Sequence, residues 1–226
     1  MRLPRLVLLP LLFVAAGFAA DPLQQTLARI DAAAASFRGL TADIKKVSHT
    51  AAIDENDVDE GTLVVKRSKA KDLRALFAVK GANAKMVAYS GHTAEIYLPA
   101  SNLVQVWDVD KYGSQINQYL LLGFGSSSKE LQASYTIALG GPETIAGQKT
   151  TRLELVPRKT DTGLGLIKAE LWISDATGVA VQQKLYMRGG DYQMASYTNM
   201  KINPGIPDSA AALNLPRNVK REYPQK

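Results

Sequence analysis

His49 and His92 are the only histidines of the 226-residue chain, and it contains no cysteine. Without thiolates, and with one histidine on each of two separate polar segments, a metal site would have to be built from oxygen ligands. The run DENDVDE, residues 54–60, is rich enough in carboxylates to suggest calcium. It lacks the glycine at the sixth position and the terminal spacing of an EF-hand loop, so it reads as a solvated hairpin tip. The stretch GGPETIAGQKTT, residues 140–151, has the glycines of a phosphate loop, but Gln148 separates Gly147 from Lys149. It also leads into the strand-like TTRLELVP instead of a helix whose amides could meet phosphate, and so reads as a turn between two strands. Neither LGFGSSS nor TGLGLIK has dinucleotide spacing, and no G-x-S-x-G elbow occurs. The carboxylates outside the acidic run are scattered and nominate no glycosidase pair. The expectation is a protein that binds without transforming, with no catalytic residue, no metal and no cofactor.

The elements that would position a binding site are mostly strands. Asp21 before Pro22 reads as an N-cap with proline at the first helical position, and Leu23, Leu27, Ile30, Ala34 and Phe37 recur at helical spacing until Gly39. From Thr41 the period becomes two: ADIKKVSH, GTLVVKR, LRALFAV, MVAYS, AEIYLP and NLVQVWDV follow at turn-separated intervals. Residues 111–132 break the alternation and read as a helical insertion. Strands then resume as ASYTIAL, TTRLELVP, LIKAELWIS, VAVQQKLYM and DYQMASYTNMKI. In the third of these, Ile167, Ala169, Leu171 and Ile173 should face a core while Lys168, Glu170 and Trp172 face water. The tail RNVKREYPQK reads as frayed.

The fold class expected is mainly β with α: one domain over residues 20–226, a strongly curved antiparallel sheet of about eleven strands with helices near its mouth. A sheet of that size must close on itself or be plugged, and the first helix and the central insertion could serve as the plug.

Residues 1–20, MRLPRLVLLPLLFVAAGFAA, place two arginines before a short apolar run and small residues after it, the order of a secretory signal peptide. The run is about 13 residues, short of the ~20 that cross a bilayer, and Pro10 interrupts it. Cleavage after Ala19 fits best, because Gly17 then fills the small-residue position. An exported chain without cysteine suits the bacterial periplasm. The formal charge is +6, and about +4 once Arg2 and Arg5 are removed, too mild for a nucleic-acid binder. A monomer is expected.

In this frame the sequence resembles the periplasmic outer-membrane lipoprotein carrier (LolA-type) family. GTLVVKR at 61–67 is similar to its G-x-L-x-V-K-R strand. MVAYSGHTAEIYLP at 86–99 is similar to its D-G-x-x-x-x-x-Y-x-P hairpin, with Ser90 in place of the aspartate. Residues 153–203 resemble its L-x-P-K strand, long paired strands and closing aromatic-x-N-x-x-x-N strand, and IPDSAAALNLPRNVK resembles its ending. The resemblance implies an incomplete β-barrel with a helical lid that holds lipoprotein acyl chains in transit from inner to outer membrane. It also implies an ATP-driven (ABC-type) inner-membrane release complex and an outer-membrane acceptor as partners. It further implies that Arg67, directly after V-K, latches the lid through backbone carbonyls. Candidate cavity residues are Leu27, Ile30, Phe37, Phe77, Leu121 and Phe124, each of which could equally be ordinary core.

The chain departs from the family pattern at Ser68, where proline is usual, at KAKD, which lengthens a turn, and at Glu95, where tryptophan is usual. Of the cations in VVKRSKAKDLR, residues 64–74, Lys69 and Lys71 should meet water, Lys66 and Arg74 should point outward, and Arg67 alone should have a partner inside the protein. Three other readings stand beside the carrier: a lipid-sensing regulatory module, a carrier of another envelope lipid such as a glycolipid or hopanoid, and a hydrolase.

Overall fold

A computed structural model describes residues 21–69, 72–110, 116, 120–159 and 165–225. The expected signal peptide, its cleavage site, Lys71 and most of the region 111–119 lie outside the described residues.

Helix α1 (Pro22–Ser36) starts as its sequence requires, with the Asp21 carboxylate accepting from the Leu23 amide at 3.0 Å and Pro22 in the first turn. It buries Leu27, Ile30 and Ala34 and ends before Phe37, whose backbone is extended. Gly39 is the first residue of a strand and not the end of the helix. A β-carbon there would lie 2.4 Å from the Val65 carbonyl oxygen, so glycine lets the neighbouring strand pass.

Six strands follow as a meander: β1 (Gly39–Thr50), β2 (Glu55–Lys69), β3 (Asp72–Val79), β4 (Lys85–Ser90), β5 (Thr93–Leu98) and β6 (Leu103–Asp108). After the short helix α2 (Ser128–Ser134) come β7 (Tyr135–Ile145), β8 (Gln148–Pro157), β9 (Leu166–Ser174), β10 (Ala180–Met187) and β11 (Tyr192–Ile202). Pairing of β1 with β11 joins the two meanders into one sheet, and with a short strand β12 (Lys220–Glu222) the order is β12-β6-β5-β4-β3-β2-β1-β11-β10-β9-β8-β7. The sheet is open, curved and antiparallel except at one edge. All eleven expected strands are present. The segment GGPETIAGQKTT is the expected hairpin, turning at Ala146 and Gly147 with positive φ at both, as a tight two-residue turn demands.

Four local expectations are corrected. The tail is not frayed throughout: Lys220–Glu222 form a twelfth strand, β12, parallel to β6 with Lys220 opposite Leu103. DENDVDE is not a hairpin tip, because residues 55–60 already pair with β1 and only Asp54, at φ 51°, belongs to the turn. Lys69 and Asp72, the outer residues of KAKD, are strand and not turn, since β2 runs to Lys69 and β3 starts at Asp72.

The fourth correction is the wet face of β9. A register shift between its pairs with Tyr186 and Met187 turns Leu166 inward and leaves Ile167 exposed. Glu170 and Trp172 point away from the core as expected, yet both are buried. Arg152 covers them, 2.8 Å from Glu143, 2.9 Å from Glu154 and 3.0 Å from Glu170. Lys168 and the Tyr186 hydroxyl complete the cluster by donating to Glu170 at 2.9 and 2.8 Å. Burial pushes the Glu170 pKa up, but these two hydrogen bonds and the Lys168 and Arg152 charges outweigh it, and the net direction is down.

Candidate functional site

The concave face of the sheet carries the core, and α1, residues 120–127 and α2 lie over it. Alternation along each strand decides what lines this face: Leu40, Ala42 and Ile44 on β1, Leu63 and Val65 on β2, Phe77 on β3, Leu185 on β10 and Tyr197 on β11. The segment 120–127 is fixed at two glycines. Gly123 accepts from the Ala180 amide of β10 at 2.7 Å, and its φ of +82° is open to glycine. Gly125 meets Arg67.

Arg67 stands near the end of β2 and reaches both parts of the cover. Its Nη1 donates to the Gly125 carbonyl at 2.9 Å, and its Nη2 donates to the carbonyls of Ala34 at 3.0 Å and Phe37 at 3.1 Å. The guanidinium also lies over the Phe37 ring, 5.3 Å from its centre. Ala34 sits in the last turn of α1, where its carbonyl accepts from the Phe37 amide at 3.3 Å, and Arg67 adds a charged donor to that helix end. Burial draws the Arg67 pKa down, the Glu130 charge opposes this and Arg38 adds to it. A guanidinium remains charged through such a shift.

Beneath the cover is a cavity of about 140 Å³ lined mostly by carbon: Ile44, Leu63, Val65, Phe77, Leu120, Phe124, Leu185, Ala195 and Tyr197. Its polar lining is confined to Lys46, Gln183, Gln193 and the tyrosine hydroxyl. Cross-strand pairing puts Gln183 opposite Ala195, Ala195 opposite Lys46 and Lys46 opposite Asp59 in one row, with Gln193 opposite Ser48 on one side of it and Tyr197 opposite Ile44 on the other. Asp59 is buried between two cations, 3.2 Å from Lys46 and 3.4 Å from Lys85.

Of the six candidate cavity residues, Phe77 and Phe124 line this space. Leu27, Ile30 and Phe37 are buried in the adjoining core, and Leu121 packs against that core beside Gly125. The sequence reading missed Ile44, Leu63, Val65, Leu185 and Tyr197, although the period-two pattern already put each on the face of its buried neighbours.

The cations of VVKRSKAKDLR differ from expectation in one respect. Lys66 and Arg74 are directly opposite each other on β2 and β3, and both meet Asp208: Lys66 through a short hydrogen bond, Arg74 at 3.7 Å. Arg67 is therefore not alone in having a partner inside the protein.

His92 and Asp110, 2.5 Å apart, share a surface groove with Thr93, Val106, Asp108, Tyr223 and Gln225. Their side chains are 80% and 70% exposed, and neither serine nor cysteine is among these residues. His49 stacks on Tyr192 at 4.7 Å. Among the described residues no group of three or more acidic or histidine side chains is placed to hold a metal ion.

An open curved sheet, a helical cover and an apolar cavity between them define a half-barrel fold. No protein-family profile and no curated protein sequence matches the chain. Solved structures do share its shape. An uncharacterized conserved protein from Thermus thermophilus superposes with a TM-score of 0.54 at 12% identity, over 90% of this chain and 99% of its own. The Mycobacterium tuberculosis lipoprotein LppX superposes with a TM-score of 0.51 at 14% identity, over 84% of this chain and all of its own, 100%. A LolA superfamily protein from Nitrosomonas europaea aligns at a TM-score of 0.40 and 12% identity, over 84% of this chain and 97% of its own. What the chain shares with the Thermus thermophilus protein and LppX is the fold alone, an open curved sheet with a helical cover, which is the architecture that the LolA-type resemblance of the sequence implies.

Proposed function

We propose that this protein is a periplasmic carrier that takes up the acyl chains of lipoproteins beneath its helical cover and moves them from the inner to the outer membrane. The observation that carries the reading is Arg67, which bonds to three carbonyls of the cover above an apolar cavity. A dry cavity of about 150 Å³ accommodates a benzene-sized ligand, so the closed state described here has no room for a long acyl chain and uptake requires the cover to move. A latch is what such a device needs.

The magnitudes are compatible with a reversible carrier. Each bond from a charged donor contributes about 1.5 to 3 kcal/mol, less where solvent reaches it. Burying a ~16-carbon chain at ~0.8 kcal/mol per methylene is worth on the order of 12 kcal/mol. Cargo can therefore displace the latch, and the latch closes the cavity when cargo leaves. Export by the leader at residues 1–19, an ABC-type release complex at the inner membrane and an acceptor at the outer membrane belong to the same proposal.

The test is uptake of a fluorescent acyl probe by the mature protein, with lipoprotein as competitor. Saturable uptake and competition are expected. Arg67→Leu should speed uptake and alter release while the protein stays folded. A folded protein that takes up no acyl probe would rule the carrier out, and unchanged transfer by Arg67→Leu would remove Arg67 from the role of latch.

A further inference from the structure

The cavity wall contains one polar group whose needs the protein does not meet. Gln183 is only 6% exposed, and its Nε2 donates to the Tyr197 hydroxyl through a short hydrogen bond. That bond orients the amide and leaves Oε1 buried with no hydrogen-bond partner. The cavity wall it shares is mostly apolar, with Ile44, Leu185, Ala195 and Phe124, and Lys46 and Gln193 are the other polar side chains in it besides Tyr197. A buried carbonyl acceptor without a donor is unfavourable, and native interiors rarely retain one unless a water, an ion, a ligand or a reaction uses it.

Its position along the cavity is defined by strand register. Gln183 shares a row with Lys46 and Asp59 through Ala195, whereas Arg67 and the cover lie beyond Leu40 and Val65. From Lys46 to Leu40 is six residues of strand, about 20 Å at the usual rise. The row with Lys46 is the polar, partly solvated end, and the rows towards Arg67 are carbon. An amphiphile lying along this gradient puts its tail towards the latch and its head near Lys46. The group that then reaches Gln183 is within the first few atoms of the head.

We infer that the cargo bears a hydrogen-bond donor near the head end of its acyl chain, a chain hydroxyl or an amide N–H, which Gln183 Oε1 accepts. The inference rests on the carrier reading and specifies its ligand: hydroxylated or amide-linked acyl chains are selected over plain ester-linked ones. A site built to accept a hydrogen bond discriminates against the analogue that lacks the donor, because the acceptor is then left unpaired in both free and bound protein.

Matched probes test this by displacement of a fluorescent acyl reporter from the mature protein. 3-Hydroxyhexadecanoic acid is compared with hexadecanoic acid, and N-methylhexadecanamide with methyl hexadecanoate. At least one donor-bearing member should bind about tenfold more tightly than its match. A preference in the first pair alone assigns a chain hydroxyl, and in the second alone an amide linkage. Gln183→Met, of similar size and without the acceptor, should level the preference while retaining the donor-free probes. The wild-type comparison stands even if that variant folds poorly. Equal binding within both pairs overturns the assignment of Gln183 and leaves the carrier intact. Failure of every probe to displace the reporter overturns the carrier reading and this inference with it.

Discussion

Asp31 of α1 holds Ser128, the first residue of α2, by both its amide and its hydroxyl. The amide donates to one carboxylate oxygen at 2.7 Å and the hydroxyl to the other at 2.6 Å. Ser127 caps the same turn, with the Glu130 carboxylate returning to the Ser127 amide at 2.7 Å. The seven-residue α2 is too short to persist by itself. It is tied at its start to a helix that is distant in sequence, and the two parts of the cover can move as one body.

Asp31→Ala should therefore separate those parts without opening the sheet. The expected loss is about 1 kcal/mol, since the bonds are exposed. Amide hydrogen exchange should rise in α2 and in residues 121–127 and stay unchanged in β8 and β9. Equal loss of protection throughout the protein would show that the bond supports the whole fold.

Gly125 has room for nothing larger. A β-carbon would lie 2.8 Å from the Phe37 ring, 3.0 Å from Leu121 and 3.3 Å from Arg67 Nη1. Gly125→Ala should push the guanidinium off its carbonyls, destabilise the closed cover by about 1 to 3 kcal/mol and raise the rate of probe entry. Stopped-flow uptake measures this. A rate at or below wild type would mean that Phe37 yields and the latch survives.

Tyr186 donates to Glu170, and burial, that hydrogen bond and the Glu170 charge push its pKa up to about 12. A raised folded value stabilises the protein below the unfolded value of about 10, and that contribution disappears as pH climbs through about 12. Wild type should lose stability over this alkaline interval more steeply than Tyr186→Phe. Parallel denaturation curves of the two proteins from pH 9 upward would contradict the role given to this hydroxyl.

Asp208 gives the opposite dependence. The hydrogen bond from Lys66, then the Lys66 and Arg74 charges, hold its carboxyl below the ordinary aspartate value. Its contribution is present above about pH 4 and fades as pH falls through the depressed value. Asp208→Asn leaves Lys66 and Arg74 opposed on adjacent strands. It should release the segment around residues 208–211 at neutral pH, read as faster hydrogen exchange there, while wild type reaches that state only in acid.

How much of this was legible beforehand follows from how local each cause is. Strands β1 to β11 follow from period-two alternation with turn residues between runs, and the start of α1 from Asp21 and Pro22. Arg67 was reached through family resemblance, and its contacts lie in segments 30 to 58 residues away. Local spacing gives no access to those. Strand β12 has three residues without an alternating pattern and exists because β6 offers it a free edge. The burial of Glu170 and Trp172 depends on Arg152 arriving from the neighbouring strand. Gln183 shares the period-two face of Val181 and Leu185 in VAVQQKLYM, but nothing in that run says that its side-chain oxygen lacks a partner, because its neighbours come from another strand.

The strand order ends at β12 on one side and at β7 on the other, and this sets how the container responds to what enters it. A closed barrel has its bore fixed by strand number and shear, so widening it means breaking backbone ladder bonds. Here the two margins are not laced together, and the wall can flex outward at the cost of side-chain contacts alone. Such a vessel has an adjustable gauge. For the carrier proposed above, one acyl chain or several, straight or bulky, would then be admitted by the same sequence, with selectivity left to the few polar atoms inside and capacity left to the elasticity of the wall.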